Sequence, residues 1–354
     1  MNTFGRTLRL ASFGESHGAA LGGMIDGFPA GVPIDMDLLQ ADLDNRKPAQ
    51  PLAGSGRGEE DRIEVLSGVY QGKSLGSPIG FVIRNRDARS ADYAEMERMF
   101  RPGHADDTYQ RKYGVRDVRG GGRASARETA VRVAGGAFAK MLLATQNVQV
   151  HAYTQSIGDV ALPDSVVAEA EKAYGFVSRC PHRETDEAMQ RLLQETRQKK
   201  DSVGGVVSCI ATGIPAGWGE PVYDKLSARL AYAMMGINAA RGFEIGCGFE
   251  AARMNGSIHN DRWLPDGTTE KNLCGGVRGG ISTGEPLVFR VAFKPVPSIA
   301  QEQELLGMDG KLHRMAIGGR HDVCCVPRAV SVVEAMAALC LADFMLLDGC
   351  VKNQ

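Results

Sequence analysis

The chain has 354 residues, of which 43% are hydrophobic and 23% charged, and its formal net charge is −1. That is an ordinary globular balance with ample length for a core, and it provides no overall field for nucleic acid or an anionic membrane. The first residues lack the apolar stretch of a signal peptide and no apolar run reads as transmembrane, so a cytoplasmic protein without a membrane partner is expected.

In chain order, the alternating run Thr7 to Ala11 predicts a strand. Gly14-Glu15-Ser16-His17-Gly18 follows and matches the G-x-S-x-G pattern of a serine-hydrolase nucleophile elbow. The glycines after Ser16 make a poor helix start, which weighs against that reading. Asp35 is placed to cap a short helix carrying Leu38, Leu39 and Leu43, and Ile79 to Arg84 reads as a second strand. Arg101-Pro102-Gly103-His104-Ala105-Asp106 then sets a histidine in a turn beside an arginine. That is an awkward core residue but a suitable proton donor, because imidazole titrates near neutral pH.

Arg119-Gly120-Gly121-Gly122-Arg123-Ala124-Ser125 runs a glycine loop flanked by two arginines into a helix N-terminus. Backbone N–H groups, the helix dipole and two guanidinium groups are expected to converge there on an anion. Ser125 to Glu128 has the capping-box spacing, with Ser125 as cap and Glu128 reaching back. Val131, Ala134, Ala137, Phe138 and Met141 then mark the apolar face of a central helix. Gly205 to Thr212 and Leu287 to Phe293 read as further strands, and Tyr223 to Met235 as a helix with Leu226, Leu230, Ala233 and Met234 on one face. Gly318-Gly319-Arg320-His321-Asp322 packs three ionisable groups into one loop, which suits either a metal or a polar turn. The last helix starts with Pro327 in its first turn and runs to Gly349.

Strands and helices mix without a regular βαβ alternation, which predicts an α+β fold of antiparallel sheets packed with helices. Since no linker divides the sequence, residues 1–354 are read as one domain. The 44 glycines cluster beside charged residues rather than in linkers, where they let backbone approach a ligand. The 8 cysteines show no C-x-x-C pair and no zinc-ligand spacing, so they read as small buried hydrophobes and no metal site is expected.

Taken together, the segments FGESHG (Phe13 to Gly18), RPGHAD (Arg101 to Asp106) and GGGRASARET (Gly120 to Thr129) resemble the chorismate synthase family. DSVGG (Asp201 to Gly205), INA (Ile237 to Ala239), GFEIG (Gly242 to Gly246), GGRHD (Gly318 to Asp322) and PRAV extend the likeness over nearly the whole chain. The resemblance implies a sandwich of antiparallel β-sheets around a helical layer, assembled as a homotetramer. It implies removal of phosphate from C3 and a proton from C6 of 5-enolpyruvylshikimate 3-phosphate, in an anti-1,4 sense, with reduced FMN as cofactor. By position, His104 is expected to protonate the reduced flavin, His17 to assist the departing phosphate and Asp322 to help deprotonate the flavin. Substrate contacts fall on Ser16, Arg46, Arg101, Arg127 and Arg320. Flavin contacts fall on Arg46, Arg123, Ala124, Ser125, Asn238, Ala239, Gly279, Lys294, Pro295, Val296, Pro297, Ser298 and Arg320.

The chain departs from the family pattern at Asn45, Leu52, Val296-Pro297 and Val323. No G-x-G-x-x-G fingerprint follows a predicted strand, and neither Asn45 nor Leu52 makes the phosphate contact of an arginine. NADPH is therefore expected to act only indirectly, through an external flavin reductase. A non-catalytic flavin-binding sensor is the other class of function the residues leave open.

Overall fold

The structure, a computed structural model, describes residues 1–47, 60–85, 97–317 and 322–352. Among these residues the helices are α1 (Met36–Arg46), α2 (Asp106–Tyr113), α3 (Thr129–Ala144), α4 (Arg183–Gln198), α5 (Leu226–Met235), α6 (Gly256–His259) and α7 (Val326–Lys352). Two five-stranded antiparallel sheets flank the central pair α3 and α7. The first runs in the order Thr3–Phe4, Arg9–Phe13, Ala20–Asp26, Ile79–Arg84, Ile63–Val65. The second runs Val160–Ala161, Gln149–Ile157, Gly205–Thr212, Leu287–Phe293, Ala240–Ile245.

Alternation explains the sheets. Ile79, Phe81 and Ile83 point inward from one strand, and Leu287, Phe289, Val291 and Phe293 from another, with half-buried or exposed residues between them. Helix α3 is buried at nearly every position, and so lies between layers rather than on a surface. It packs on the first sheet and against α7, which in turn packs on the second. Gly136 permits the close helix–helix approach, because a Cβ there would sit 2.3 Å from the Cβ of Ala335. The result is a β-α-β sandwich around one large core, as expected for the α+β class, with a small second cluster at Leu305 and Ile317.

Asp35 caps α1 by accepting from the N–H groups of Asp37 (2.9 Å) and Leu38 (3.0 Å). Strands Ile79–Arg84, Gly205–Thr212 and Leu287–Phe293 have the bounds read from sequence. The first strand does not. It spans Arg9–Phe13, because the N–H groups of Thr7 and Leu8 donate instead to the buried carboxylate of Asp343 on α7 (2.7 and 2.9 Å). Helix α5 begins at Leu226 rather than Tyr223, yet buries the four expected residues. A further correction concerns α7, whose segment Val326–Gly349 is long and apolar enough to cross a membrane by length and composition, with a mean hydropathy of 2.0. Its most apolar stretch is 83% buried inside the molecule, as befits a core helix.

Candidate active site

A cavity of about 870 Å³ opens where the helical layer meets the loops. The end of α1, the Arg101–Asp106 turn, the glycine loop, the segment after α5, residues 294–298 and the start of α7 all contribute to its wall. Seven arginines and two lysines there face four carboxylates among the described lining residues. In a chain of net charge −1, that concentration of cations is the mark of an anion site.

The glycine loop is built from left-handed backbone: Gly120, Gly121 and Gly122 have φ of +69°, +90° and +53°. Gly120 also has no room for a side chain, since a Cβ would meet the His17 ring at 2.5 Å. Two short 3₁₀ turns, Gly122–Ala124 and Ala126–Glu128, precede α3. Ser125 caps the second turn by accepting from Arg127 N–H at 3.3 Å. The reciprocal arm of the expected capping box is absent. Glu128 pairs instead with Arg132 one turn later (2.8 Å), a charge-assisted contact that outcompetes a back-bond to a neutral N–H. The expected convergence of Arg119 and Arg123 also needs correction. Arg119 is bound to Asp117 (2.9 Å) and does not line the cavity, while Arg123 donates to Ser12 Oγ (2.7 Å) and the Gly14 carbonyl (3.3 Å).

The buried cations come from elsewhere. Arg46, at the end of α1, and Arg127, beside α3, both donate to Asp61, each to a different carboxylate oxygen. All three are almost wholly buried and line the cavity. Burial pushes the Asp61 carboxyl up, but Arg46 and Arg127 together outweigh it and hold the group below the usual carboxylate range. Burial lowers the Arg46 pKa from its ordinary value. Arg46 Nε is buried and finds no acceptor among the described residues. Arg127 Nε donates to Asn85 Oδ1 at 3.1 Å.

Arg101 is gripped by Asp106 through its backbone N–H (3.0 Å), Nε (2.8 Å) and a terminal nitrogen (2.8 Å), which fixes the turn. Within that turn His104 Nε2 stands 2.6 Å from Ser298 Oγ, and Lys294 Nζ donates to the Gly103 carbonyl at 2.7 Å. These bonds tie the turn to residues 294–298, nearly two hundred positions on. Asn238 donates to the Ala124 carbonyl at 2.9 Å, while its Oδ1 is buried without a donor among the described residues. Ala239 holds φ of +67°, a conformation that costs a non-glycine residue about 1–2 kcal/mol. Asp322 Oδ2 accepts from Arg328 at 2.5 Å and its Oδ1 is buried without a described donor. Burial pushes the thiol of the neighbouring Cys325 up to about 11, so it stays protonated and inert.

The cavity therefore brings together Arg46, Arg101, His104, Arg123, Ala124, Ser125, Arg127, Asn238, Ala239, Lys294, Val296, Pro297, Ser298 and Asp322. Ser16, His17, Gly279 and Pro295 are not on its wall. His17 is buried directly behind Gly120, and Ser16 Oγ donates to the Arg119 carbonyl at 3.3 Å. Arg320, His321 and Leu52 lie outside the described residues. The segment holding Ser16 joins strands Arg9–Phe13 and Ala20–Asp26 of one antiparallel sheet, so the strand–turn–helix of a nucleophile elbow is not present. Among the described residues no group of three or more histidines, cysteines or acids is placed to hold a metal.

Sequence reasoning missed Asp61, Arg132, Arg241 and Arg328. Arg328 carried a usable signal, because a cation in the first turn of a helix opposes the macrodipole and needs a reason to be there.

A family model described as chorismate synthase matches residues 8–346. The chain is 51% identical over 350 residues to the chorismate synthase of Nitratidesulfovibrio vulgaris strain Miyazaki F, covering 98% of each chain. It is 47% identical to that of Parabacteroides distasonis over the full length of both. A solved crystal structure of chorismate synthase superposes with a TM-score of 0.78 at 34% identity, over 98% of this chain and 93% of the other. A match that runs through both sheets, the helical layer and every wall of the cavity makes this chain a member of the chorismate synthase family.

Proposed function

We propose that the cavity holds 5-enolpyruvylshikimate 3-phosphate beside reduced FMN, and that the chain removes phosphate from C3 and a proton from C6, in an anti-1,4 sense, to yield chorismate. The observation that carries this reading is the excess of guanidinium over carboxylate in one cavity. A substrate with one phosphate and two carboxylates is the complement such a surplus requires.

The residues also suit a flavin mononucleotide. The volume lies in the upper part of the range for ligand pockets, roughly 300–1,000 Å³. The acceptor left over on Asn238 suits a ring N–H, and the strained backbone at Ala239 is typical of a ligand contact. Arg123, Ala124, Ser125, Asn238, Ala239, Lys294, Val296, Pro297 and Ser298 would hold the cofactor. Reduced FMN bound there would supply transient electron density for C–O cleavage, with no net oxidation.

Arg46, Arg101 and Arg127 hold the substrate anions and exclude water from their charges. His104, fixed by Ser298 Oγ, carries a proton toward the cofactor. Asp322 Oδ1, an acceptor without a described donor, takes one up. His17 donates to the leaving phosphate past Gly120, whose missing side chain is what lets the imidazole come so near the wall. Assembly as a homotetramer in the cytoplasm, with electrons delivered to the flavin by a separate reductase, completes the reading.

The test is an anaerobic assay with the substrate and reduced FMN, following phosphate and chorismate together. Equimolar release with reduced flavin and none with oxidised flavin is expected. Equal rates with both forms, or no phosphate release under reducing conditions, would overturn it. Binding of flavin without turnover would indicate the sensor. Steady aerobic turnover on oxidised FMN and NADPH, with no reductase added, would remove the external reductase.

A further inference from the structure

Asp61 belongs to no motif, yet it is tightly held at the cavity wall. It is 2% exposed, lies between two arginines that line the same cavity, and holds φ of +49°. Positive φ is uncommon outside glycine, although aspartate tolerates it better than most residues. Its backbone is held as well, since Gln40 on α1 donates to the Asp61 carbonyl at 3.4 Å.

Two guanidinium groups this close repel each other, and in isolation each would turn toward a different partner. One carboxylate with an oxygen on each keeps them side by side. Arg127 is steadied further by Asn85 and Arg46 by Thr129 Oγ1 (3.4 Å). Arg46 Nε remains buried with no acceptor among the described residues, and Arg46 is 3% exposed. A buried guanidinium donor at the wall of a cavity points to a ligand as its partner.

We infer that Asp61 is a positioning residue for this reaction: its two oxygens lock Arg46 and Arg127 into one fork that receives an anionic group of the substrate. This rests on the proposed reading of the cavity as the site of a phosphorylated substrate. It goes further in assigning Asp61 the orientation of the fork, rather than charge neutralisation alone.

Two variants separate those roles. Asp61→Glu keeps the charge and moves the carboxylate by one methylene; Asp61→Asn keeps the shape and removes the charge. Steady-state kinetics on each, anaerobically with reduced FMN and alongside a melting curve, read the outcome. We expect KM for the substrate to rise about tenfold or more in both, with kcat changed less, as when a binding group is misplaced by a fraction of an ångström to an ångström. A wild-type KM in Asp61→Glu would overturn the inference, since neutralisation alone would then suffice. A fall in kcat at unchanged KM would overturn it too. If Asp61→Asn does not fold, Asp61→Glu decides by the same criterion. Absence of turnover in the wild type would overturn the functional reading and this inference with it.

Discussion

Lys140, Asp42 and Glu334 form one buried ion cluster; Arg46, Asp61 and Arg127 form another. The first ties α3, α1 and α7 together in the helical layer. Lys140 Nζ donates to Asp42 (3.0 Å) and Glu334 (2.9 Å), while Glu334 also accepts from Ala152 N–H (2.7 Å) and Tyr174 OH (2.8 Å). None of its buried side-chain atoms lacks a partner. The second cluster has two cations on one carboxylate and a buried donor with nothing described to receive it. A cluster that only holds the fold is saturated from within, whereas one that binds a ligand keeps a donor in reserve. Burial of ions alone does not distinguish them.

The largest effect is expected on the saturated side. Lys140→Met leaves two buried carboxylates without their cation and should cost about 3–5 kcal/mol of stability. The part that remains folded should keep kcat/KM within about twofold. Denaturant melts and assays below the transition check this. A wild-type melt would show the network to be ornamental.

His104→Ala should lower kcat roughly a hundredfold, the usual loss for an acid–base group, with little change in melting temperature. Full turnover would make the His104–Ser298 contact structural. On the unsaturated side, Arg46→Met should raise KM for the substrate by about tenfold or more. It should change stability by only about 1 kcal/mol, because it removes a like-charge neighbour of Arg127 together with an ion pair. A stability loss matching Lys140→Met would erase the distinction between the clusters.

The smallest effect is on pH dependence, and its sign differs between the two regions. The Asp61 carboxyl is held low, because Arg46 and Arg127 outweigh burial; its stabilisation is present above the unfolded value of about 3.9 and is lost as pH falls through the folded value. Burial raises the Asp42 carboxyl, so its folded form binds more protons than the unfolded chain just above that value, and stability falls there as pH rises. Relative to wild type, Asp61→Asn should therefore look worse as pH rises from the acid range and Asp42→Asn better. Melting temperatures across the acid-to-neutral range give the two slopes, and equal signs would contradict the assignments.

Much of this was legible in the sequence because the information is local. Asp35 as a cap, the alternation of Ile79 to Arg84 and the apolar face of α5 need only a few adjacent residues to be read. The capping box at Ser125 was misread although its competitor was visible, since Arg132 stands four residues after Glu128. Arg46 and Arg127 were found by resemblance, but their shared carboxylate was not. Asp61 is 15 and 66 residues from its partners, and no pattern of period two or 3.6 marks an aspartate whose role is set by tertiary approach. His17 shows the converse: its motif was plain, yet its place behind Gly120 is a matter of three-dimensional packing.

The most direct test of the distinction between the clusters is a crystal structure of the chain with FMN and 5-enolpyruvylshikimate 3-phosphate bound. Anionic oxygens of the substrate are expected within hydrogen-bond distance of Arg46 and Arg127, with Asp61 still bridging the two and the Lys140 cluster unchanged. Substrate phosphate and carboxylates held elsewhere, with no substrate oxygen on either arginine, would contradict it.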